Sequence, residues 1–224
     1  MDRLLVFSRT TGYRHDSIPA GVSALRELGG AHGFTIDHTE DPGRFSDDGL
    51  APYAAVVWLQ VSGDVLDDAA RSAYERYTRG GGRFVGVHAA STAERNWSFY
   101  GDLVGARFLG HPPGCVPATV RVEDPDTPST RPLPRPWRVT DEWYTFEDNP
   151  RERVRVLLSL DESSYEVGDL AMGDHPIAWS REIHGSRAWY TALGHATETY
   201  ADATFRRHLL GGIRWAIGSA NDSA

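Results

Sequence analysis

The sequence predicts an α/β fold: a doubly wound, mostly parallel sheet with helices on both faces and an added antiparallel β-hairpin extension. Two observations support this prediction. In the first half, short apolar runs alternate with amphipathic segments that end in glycine, as in strand–helix–strand units. In the second half, strand-like runs follow one another directly, and an amphipathic segment comes after them.

The first half contains four predicted strands and two predicted helices. The strands are residues 3–10, 34–41, 53–60 and 83–90, and the helices are residues 17–33 and 64–82. Ser17 is expected to cap the first helix, and Pro19 lies in its first turn. Gly29 and Gly30 are expected to end that helix. Right-handed crossovers then place the carboxyl ends of the strands at one edge of a parallel sheet.

The second half is predicted to be mainly strands. These are residues 118–124, 137–148, 153–162, 176–182 and 187–194, and the last two form a hairpin. A helix over residues 202–218 places Phe205, Leu209 and Ile213 at helical spacing. The proline-rich loop 125–137 and the hairpin are the expected insertions, available to cover a pocket or contact a second subunit. We expect one domain over residues 1–218 and a flexible tail over residues 219–224.

Composition restricts the classes of partner. The chain has 224 residues and a formal net charge of −8, and its arginines are scattered among acidic residues, which argues against a nucleic-acid partner. No apolar window is long enough to span a membrane, and no signal-peptide pattern is present. A single cysteine, Cys115, favours a reducing compartment, so we expect a cytoplasmic location. A homodimer is compatible with the sequence, which identifies no interface.

Polar residues follow several of the predicted strands. Tyr13 and His15 follow the first strand, His88 lies at the end of the fourth, and His195 follows the last. Glu142 lies in the acidic and aromatic segment "DEWYTF". Because the carboxyl ends of parallel strands meet at one edge, the loops should bring the three histidines together.

Each of these residues also has a purely structural interpretation. His88 fits a hydrogen-bonded core histidine, yet the two alanines after it favour close approach of a ligand. His195 and Glu198 fit an ordinary helix entry, yet the glycine before the histidine favours a functional role. Glu142 and His111 fit either interpretation equally well.

Two chemistries remain open for these side chains. Imidazoles and a carboxylate from separate loops would suit a divalent metal such as Zn²⁺, with His88, His111 and His195 as candidate ligands. Without a metal, the same groups around a pocket would act as general acid and base near neutral pH. The sequence contains no H-E-x-x-H motif, no G-x-S-x-G nucleophile motif and no phosphate-binding glycine motif.

Six segments carry a family resemblance. They are "LLVFSRTTGYRHDSIPAG", "GGRFVGVHAAS", "LVGARFLGHP", "DEWYTF", "HPIAWSRE" and "GSRAWYTALGHATETYADATFRRHLLGGIRWA". Together, and in this order, they resemble the trehalose-utilisation (ThuA-like) family. The resemblance implies the fold of the class I glutamine amidotransferases, with a flavodoxin-like core. A cysteine nucleophile of those enzymes matches the position of His88, and their histidine and glutamate match His195 and Glu198.

The resemblance implies carbohydrate metabolism, with hydrolase-like chemistry on trehalose-type disaccharides or their 3-keto derivatives. An imidazole cannot form the acyl intermediate of glutamine hydrolysis, so glutaminase activity is not expected. The expected catalytic residues are His15, His88, Glu142, His195 and Glu198. The expected substrate-binding residues are Tyr13, Asp16, Trp143 and Tyr144.

Two further functions stay open. A lost nucleophile is compatible with a non-catalytic carbohydrate-binding or regulatory module. A metal-dependent hydrolase of a non-sugar substrate is the other alternative. Cleavage of a glycosidic bond by paired carboxylates would require Glu142 together with Glu198 or Asp16.

Overall fold

The computed structural model describes residues 1–218, and the tail predicted for residues 219–224 lies outside the described residues. The strands are β1 (Asp2–Phe7), β2 (Phe34–Thr39), β3 (Ala55–Leu59), β4 (Arg83–Val87), β5 (Phe108–Gly110), β6 (Val116–Val122), β7 (Trp137–Asp141), β8 (Thr145–Phe146), β9 (Arg155–Asp161), β10 (Pro176–Ile183) and β11 (Ser186–Thr191). The helices are α1 (Ile18–His32), α2 (Asp47–Leu50), α3 (Asp68–Arg79), α4 (Ser98–Val104) and α5 (Ala203–Ile217).

Nine of the strands form one sheet in the order β2-β1-β3-β4-β11-β10-β9-β6-β7, and β5 pairs with β8 apart from it. The five strands from β2 to β11 are parallel, and we call them the parallel half. The strands β10, β9, β6 and β7 are antiparallel, and we call them the antiparallel half. The predicted α/β fold class is confirmed.

Helices cover both faces of the parallel half. Neighbouring residues of β3 point to opposite faces, because side chains alternate along a strand. Trp58 packs against Tyr74 of α3 and Tyr100 of α4 on one face. Leu59 packs against Gly21 of α1 on the other face. None of the helices within residues 1–218 is long and apolar enough to cross a bilayer.

The first helix ends close to the predicted residue 33, but not at the glycine pair expected to end it. It continues through Gly29 and Gly30 to His32, and Gly33, with a φ of +83°, provides the left-handed cap. Gly29 is required for a different reason. A Cβ at this position would lie 2.6 Å from the carbonyl oxygen of Phe34, where the chain passes into β2.

Ser17 occupies the N-cap position of α1, yet its side chain makes no capping hydrogen bond. Its backbone is helical rather than extended, a conformation not typical of a side-chain cap. The hydroxyl instead accepts a hydrogen bond of 2.9 Å from Nε2 of Gln60 at the end of β3. Ser17, which the sequence predicts as a helix cap, therefore connects the loop after β1 to the end of β3.

The two predicted insertions do not cover the site. The hairpin turn between β10 and β11 lies at the amino end of β4, where Arg83 donates a hydrogen bond to the carbonyl oxygen of Gly185. The proline-rich loop packs against α5, because the carbonyl oxygen of Ser129 contacts Nδ1 of His208 at 2.9 Å. The strand predicted over 137–148 is also interrupted, since β7 ends at Asp141 and β8 begins at Thr145.

Candidate metal centre

His88 stands directly at the carboxyl end of β4. It is fully buried, and its φ of +51° is a left-handed conformation that costs a non-glycine residue on the order of 1–3 kcal/mol. The strand and the short 3-10 turn over His88–Thr92 hold the backbone in this bend. The sharp bend turns the imidazole towards the loops that follow β1 and β11.

Four side chains meet at this point: His15, His88, Glu142 and His195. One potential ligand atom from each lies within 4.8 Å of the others. His15 comes from the loop after β1 and His195 from the loop after β11, whereas Glu142 follows β7 in the antiparallel half. The structure thus brings together the three histidines whose convergence the sequence predicts, and adds a carboxylate.

Three of the four groups form a compact triangle of atoms. Nε2 of His88 lies 3.4 Å from Oε2 of Glu142, and Nδ1 of His195 lies 3.1 Å from the same oxygen. The two nitrogens are 3.3 Å apart. Ligands of a tetrahedral Zn²⁺ lie about 2.0–2.1 Å from the ion, so neighbouring ligand atoms are separated by about 3.3 Å. The triangle therefore has the dimensions of one face of such a site.

The hydrogen bond of His88 determines which of its nitrogens faces the triangle. Nδ1 contacts the backbone carbonyl oxygen of Ala192 at 2.5 Å. A carbonyl oxygen only accepts, so Nδ1 carries a proton, and in the neutral imidazole the lone pair lies on Nε2. This arrangement, in which the second nitrogen donates to a carbonyl, is common among histidines that bind metals.

The charges within the cluster shift the pKa values of its members. Burial would raise the pKa of Glu142, but hydrogen bonds and positive charge from His195 and His88 outweigh burial and lower it. The hydrogen bond to Glu142 raises the pKa of His195. Burial, together with repulsion from His88 and His195, lowers the pKa of His15 to about 3, so its imidazole is neutral at pH 7. A carboxylate beside a neutral imidazole is a suitable pair of donors for a divalent cation.

Asp141 is a site residue that the sequence analysis did not select. Its fully buried carboxylate accepts backbone hydrogen bonds of 2.8 Å from Gly194, 3.0 Å from His195 and 2.9 Å from Glu142. Burial raises the pKa of Asp141, while nearby His88 and these N–H donors act in the opposite direction. One side chain therefore fixes the backbone of two members of the cluster. No motif reveals this, because the contact joins residues 53 and 54 positions apart.

Gln60 also fixes the loop that contains Gly194 and His195. Nε2 of Gln60 donates a hydrogen bond of 2.5 Å to the carbonyl oxygen of Gly194. Gln60 is fully buried and has a φ of +56°, so it also occupies an unfavourable backbone conformation. The residue before His195 is thus fixed through both its N–H and its C=O.

A cavity of about 560 Å³ opens beside the cluster. It is lined by Gly12, Tyr13, His15, Ser62, Gly63, Ala89, Thr92, Phe108, His111, Glu142 and Tyr144. The ring of Tyr144 lies against His88 with centroids 4.0 Å apart, and Phe108 packs on Tyr144 at 4.3 Å. Cavities of this size, mostly apolar with a few convergent polar groups, are typical small-molecule sites.

The other predicted site residues are placed differently. His111 lines the cavity, with Nδ1 3.3 Å from Oε1 of Glu142, and lies beside the four-residue cluster rather than in it. Trp143 is a core residue that donates a hydrogen bond to the carbonyl oxygen of Val116. Asp16 is exposed and does not line the cavity. Glu198 is exposed and lines a separate groove.

The donor set fits a divalent metal. It contains three imidazoles and one carboxylate; the carbonyl oxygen of Ala192 orients His88, and the carboxylate of Asp141 holds the backbone of His195. Nδ1 of His15 is buried and has no hydrogen-bond partner within residues 1–218. A buried imidazole nitrogen without a partner is unfavourable, and a bound ion or a water molecule would satisfy it.

Comparisons with known proteins agree with the motif order. A family model described as "ThuA: Trehalose utilisation" matches residues 3–216. A ThuA-like protein from Bacteroides uniformis is 25% identical with a TM-score of 0.82, covering 97% of this chain and 92% of its own. One from Parabacteroides merdae is 18% identical with a TM-score of 0.78, covering 96% and 90%. No curated protein sequence matches significantly.

One more distant similarity concerns the fold alone. A structure described as a carbohydrate deacetylase is 14% identical with a TM-score of 0.62. The match covers 97% of this chain and 32% of that one. The fold therefore also occurs as one part of a longer chain.

Proposed function

The chain belongs to the ThuA (trehalose utilisation) family, and from this premise we propose that it is a sugar-processing enzyme acting on a disaccharide or a 3-keto-glycoside. The proposed centre is His15, His88, Glu142 and His195, with a divalent metal such as Zn²⁺ as the bound ion. The observation that supports this most directly is the triangle of ligand atoms, with sides of 3.1, 3.3 and 3.4 Å.

A divalent ion held by these residues supplies Lewis-acid polarisation of a carbonyl or hydroxyl oxygen. The protein supplies the remaining functions. Tyr144 and Phe108 give the sugar an apolar wall, and His111 lies 3.3 Å from Glu142 on the cavity side. His111 is therefore placed to exchange a proton with a ligand bound in the cavity.

Hydrolysis by a carboxylate pair has no support in the cavity. Glu142 is the one carboxylate among the lining residues, whereas Asp16 and Glu198 are exposed elsewhere. Inverting and retaining glycosidases of the usual type place two carboxylates across the scissile bond. The cavity therefore favours a mechanism with one carboxylate and an electrophile.

Two covalent mechanisms are also disfavoured. All 23 residues counted as Lys or Arg are arginines, so the sequence offers no lysine to form a Schiff base with a keto sugar. Cys115 does not line the cavity, and its partial burial together with nearby carboxylates raises the pKa of its thiol to about 11. A thiol that is protonated at neutral pH is a poor nucleophile, so a glutaminase function is not proposed.

The test begins with elemental analysis of protein purified without chelators and without a histidine tag. We expect about one divalent metal per chain, and turnover of 3-keto-trehalose that His88→Ala abolishes. His32→Ala is the control, because His32 is exposed and lies on α1 outside the cluster. Turnover that His88→Ala leaves unchanged would refute the assignment.

Other outcomes would select one of the alternatives. Turnover by metal-free protein would indicate general acid–base chemistry by the same histidines and glutamate. Calorimetric sugar binding without product would indicate a carbohydrate-binding module. A stoichiometric metal with no response to any sugar would indicate a hydrolase of another substrate. For location, the exposed and unpaired Cys115 supports the proposal of a reducing, cytoplasmic compartment.

A further inference from the structure

One wall of the cavity is built apart from the main sheet. The short strands β5 and β8 form a two-stranded sheet of their own. Phe108 of β5 and Tyr144, which directly precedes β8, both line the cavity, and the ring of Tyr144 lies against that of His88 with centroids 4.0 Å apart. We call this pair of strands, together with Tyr144, the β5–β8 wall. Its position depends on contacts other than pairing with the nine-stranded sheet.

The segment between β9 and β10, residues 162–175, packs behind this wall, and we call it the backing loop. Oγ1 of Thr145 in β8 donates a hydrogen bond of 2.9 Å to the carbonyl oxygen of Leu170. The side chain of Leu170 also lies beside Gly110 of β5, since a Cβ built at Gly110 would come within 3.5 Å of it. Both strands of the wall therefore contact the backing loop.

His175 ends the backing loop and joins it to Tyr144. The side chain of His175 is fully buried. Its Nε2 lies 2.9 Å from the carbonyl oxygen of Tyr144, and its Nδ1 lies 2.8 Å from Oε1 of Glu162. Glu162 in turn accepts backbone hydrogen bonds of 2.6 Å from Met172 and 2.9 Å from Gly173. This one ring therefore connects both ends of the backing loop to the wall.

Both partners of the His175 ring accept hydrogen bonds, and this determines its protonation. A backbone carbonyl oxygen cannot donate, so Nε2 carries a proton. Burial would raise the pKa of Glu162, but the backbone N–H donors and His175 outweigh burial and lower it, so Glu162 is ionised at neutral pH. A carboxylate also only accepts, so Nδ1 carries a second proton. The geometry therefore describes His175 as an imidazolium that is paired with the carboxylate of Glu162.

Two other titratable groups lie near this ion pair. Asp174 precedes His175 in the chain, and hydrogen bonds from Arg151 hold its carboxylate and lower its pKa. Burial and the negative charge of Glu162 raise the pKa of Tyr165, so its phenol is neutral. Glu162 is therefore the anion that pairs with the ring.

His208 is a buried histidine with a different set of partners. Its Nδ1 contacts the carbonyl oxygen of Ser129, whereas its Nε2 contacts Oγ1 of Thr191, a hydroxyl that can donate. A neutral imidazole satisfies both contacts, and burial lowers the pKa of His208 to about 4. Neither partner of His175 is a hydroxyl, so its neutral form would leave one of its two contacts without a proton.

We propose that His175 is a positioning residue that acts as an imidazolium, donating one proton to Glu162 and the other to the carbonyl oxygen of Tyr144, and that it thereby holds the β5–β8 wall in place. Its ring belongs neither to the cavity lining nor to the cluster, so it acts on the site through Tyr144. Loss of one proton at alkaline pH releases one contact and loosens the wall. The inference rests on the proposed function only in taking this cavity as the substrate site.

Nuclear magnetic resonance of the full chain labelled with ¹⁵N-histidine tests the protonation directly. At pH 7 we expect protons on both nitrogens of His175, whose signals are identified by their loss in His175→Gln and by through-space contacts with Tyr144. His208 is the control within the same spectrum, because its contacts predict one protonated nitrogen. The native protein gives this result even if the variant does not fold. A singly protonated His175 at pH 7 would overturn the proposal.

Two variants separate the two contacts of the ring. The side-chain amide of glutamine reaches about as far as Nε2, and that of asparagine about as far as Nδ1, so His175→Gln keeps a donor for Tyr144 and His175→Asn does not. Hydrogen exchange of the amides of residues 144–146, measured by mass spectrometry at pH 7, should be about tenfold faster in His175→Asn and within about threefold of native in His175→Gln. Native exchange rates in His175→Asn would show that His175 does not hold the wall.

Alkaline pH should have the same effect on the native protein as His175→Asn. After correction for the intrinsic exchange rate, exchange at residues 144–146 should rise between pH 7 and pH 9 in the native protein but not in His175→Gln, whose amide does not titrate. The same response in both proteins would contradict the proposal. Failure of the proposed function gives a different pattern, because turnover that His88→Ala leaves unchanged refutes the assignment of the cluster, while the spectrum and the exchange rates still decide the role of His175.

Discussion

The parallel and antiparallel halves of the sheet contribute to the site in different ways. The parallel half supplies His15, His88 and His195 from the ends of its strands, where ligands bind in most open α/β sheets. The antiparallel half supplies Glu142 and its aromatic neighbour Tyr144 from the interruption between β7 and β8. The histidines therefore use the general arrangement of an open α/β sheet, whereas Glu142 depends on the interruption between β7 and β8. Neither half holds the complete set of donors.

The sharpest test of this division removes one donor from each half. His88→Ala and Glu142→Gln should each reduce metal affinity by at least about 100-fold, because each removes a proposed ligand rather than a group that only orients one. Competition with a colorimetric chelator measures the affinity. If Glu142→Gln binds metal like the native protein, the antiparallel half only forms the wall of the cavity and the centre belongs to the parallel half.

Asp141→Asn tests the connection between the halves. The variant keeps the shape of the side chain but places an NH₂ group opposite backbone N–H donors from Gly194, His195 or Glu142. We expect metal affinity to fall about 10- to 100-fold and unfolding free energy to fall by about 1–3 kcal/mol. Chelator competition and urea denaturation measure the two effects. A stability loss with native metal affinity would limit Asp141 to a structural role.

Acidification should weaken a second contact between the two halves of the sheet, which is made by His208. This buried histidine contacts Ser129 of the proline-rich loop and Thr191 of β11, and burial lowers its pKa to about 4. The unfolded chain binds this proton near pH 6.5, so stability contributed by the neutral imidazole is present above that pH and lost as pH falls towards 4. Between pH 7 and pH 5, the unfolding free energy of His208→Gln should fall by about 2 kcal/mol less than that of the native protein. Urea denaturation at each pH measures both changes. Equal pH dependence of the two proteins would contradict this assignment.

The smallest effect is expected within the parallel half, at a helix cap outside both the cluster and the cavity lining. Asp67 caps α3 by accepting a hydrogen bond of 2.8 Å from the backbone N–H of Ala70. Asp67→Ala should cost about 1 kcal/mol of unfolding free energy and leave metal affinity unchanged. Thermal denaturation and chelator competition provide the readouts. A change in metal affinity would show that the scaffold and the site are more closely coupled than the contacts indicate.

The two halves also differ in how far the sequence predicts them. In the parallel half, apolar runs and glycine-terminated helices indicate nearly every strand and helix, and the topology then predicts that the histidines meet. The exceptions are the single-turn α2 and the short α4; the seven residues of α4 include Gly101, and its cap residue Trp97 makes no capping hydrogen bond with its side chain. The stability of α4 comes from packing, since Tyr100 is fully buried and donates a hydrogen bond to the carbonyl oxygen of Ala90.

In the antiparallel half, the segment "DEWYTF" was predicted as part of one strand. Side chains still alternate across the interruption after Asp141, since Glu142 and Tyr144 line the cavity while Trp143 between them enters the core. The resemblance to the amidotransferases implies a catalytic Glu198 beside His195, but the 3-10 turn over Glu198–Ala201 leaves Glu198 in another groove. These directions depend on tertiary contacts that residue spacing does not record.

The position of β11 has a consequence for how the protein acquires its site during synthesis. This strand follows β10 late in the sequence, yet it lies between β4 and β10 and is the one link between the two halves of the sheet. His88 and His195 are separated by 107 residues, so the ribosome releases the first long before the second. Pairing over such a separation is slow, and the unpaired edge of β4 stays available to other chains until β11 arrives. Until β11 has been synthesised, the nascent chain can neither join the two halves of its sheet nor assemble the cluster. We expect the incomplete chain to depend on chaperones.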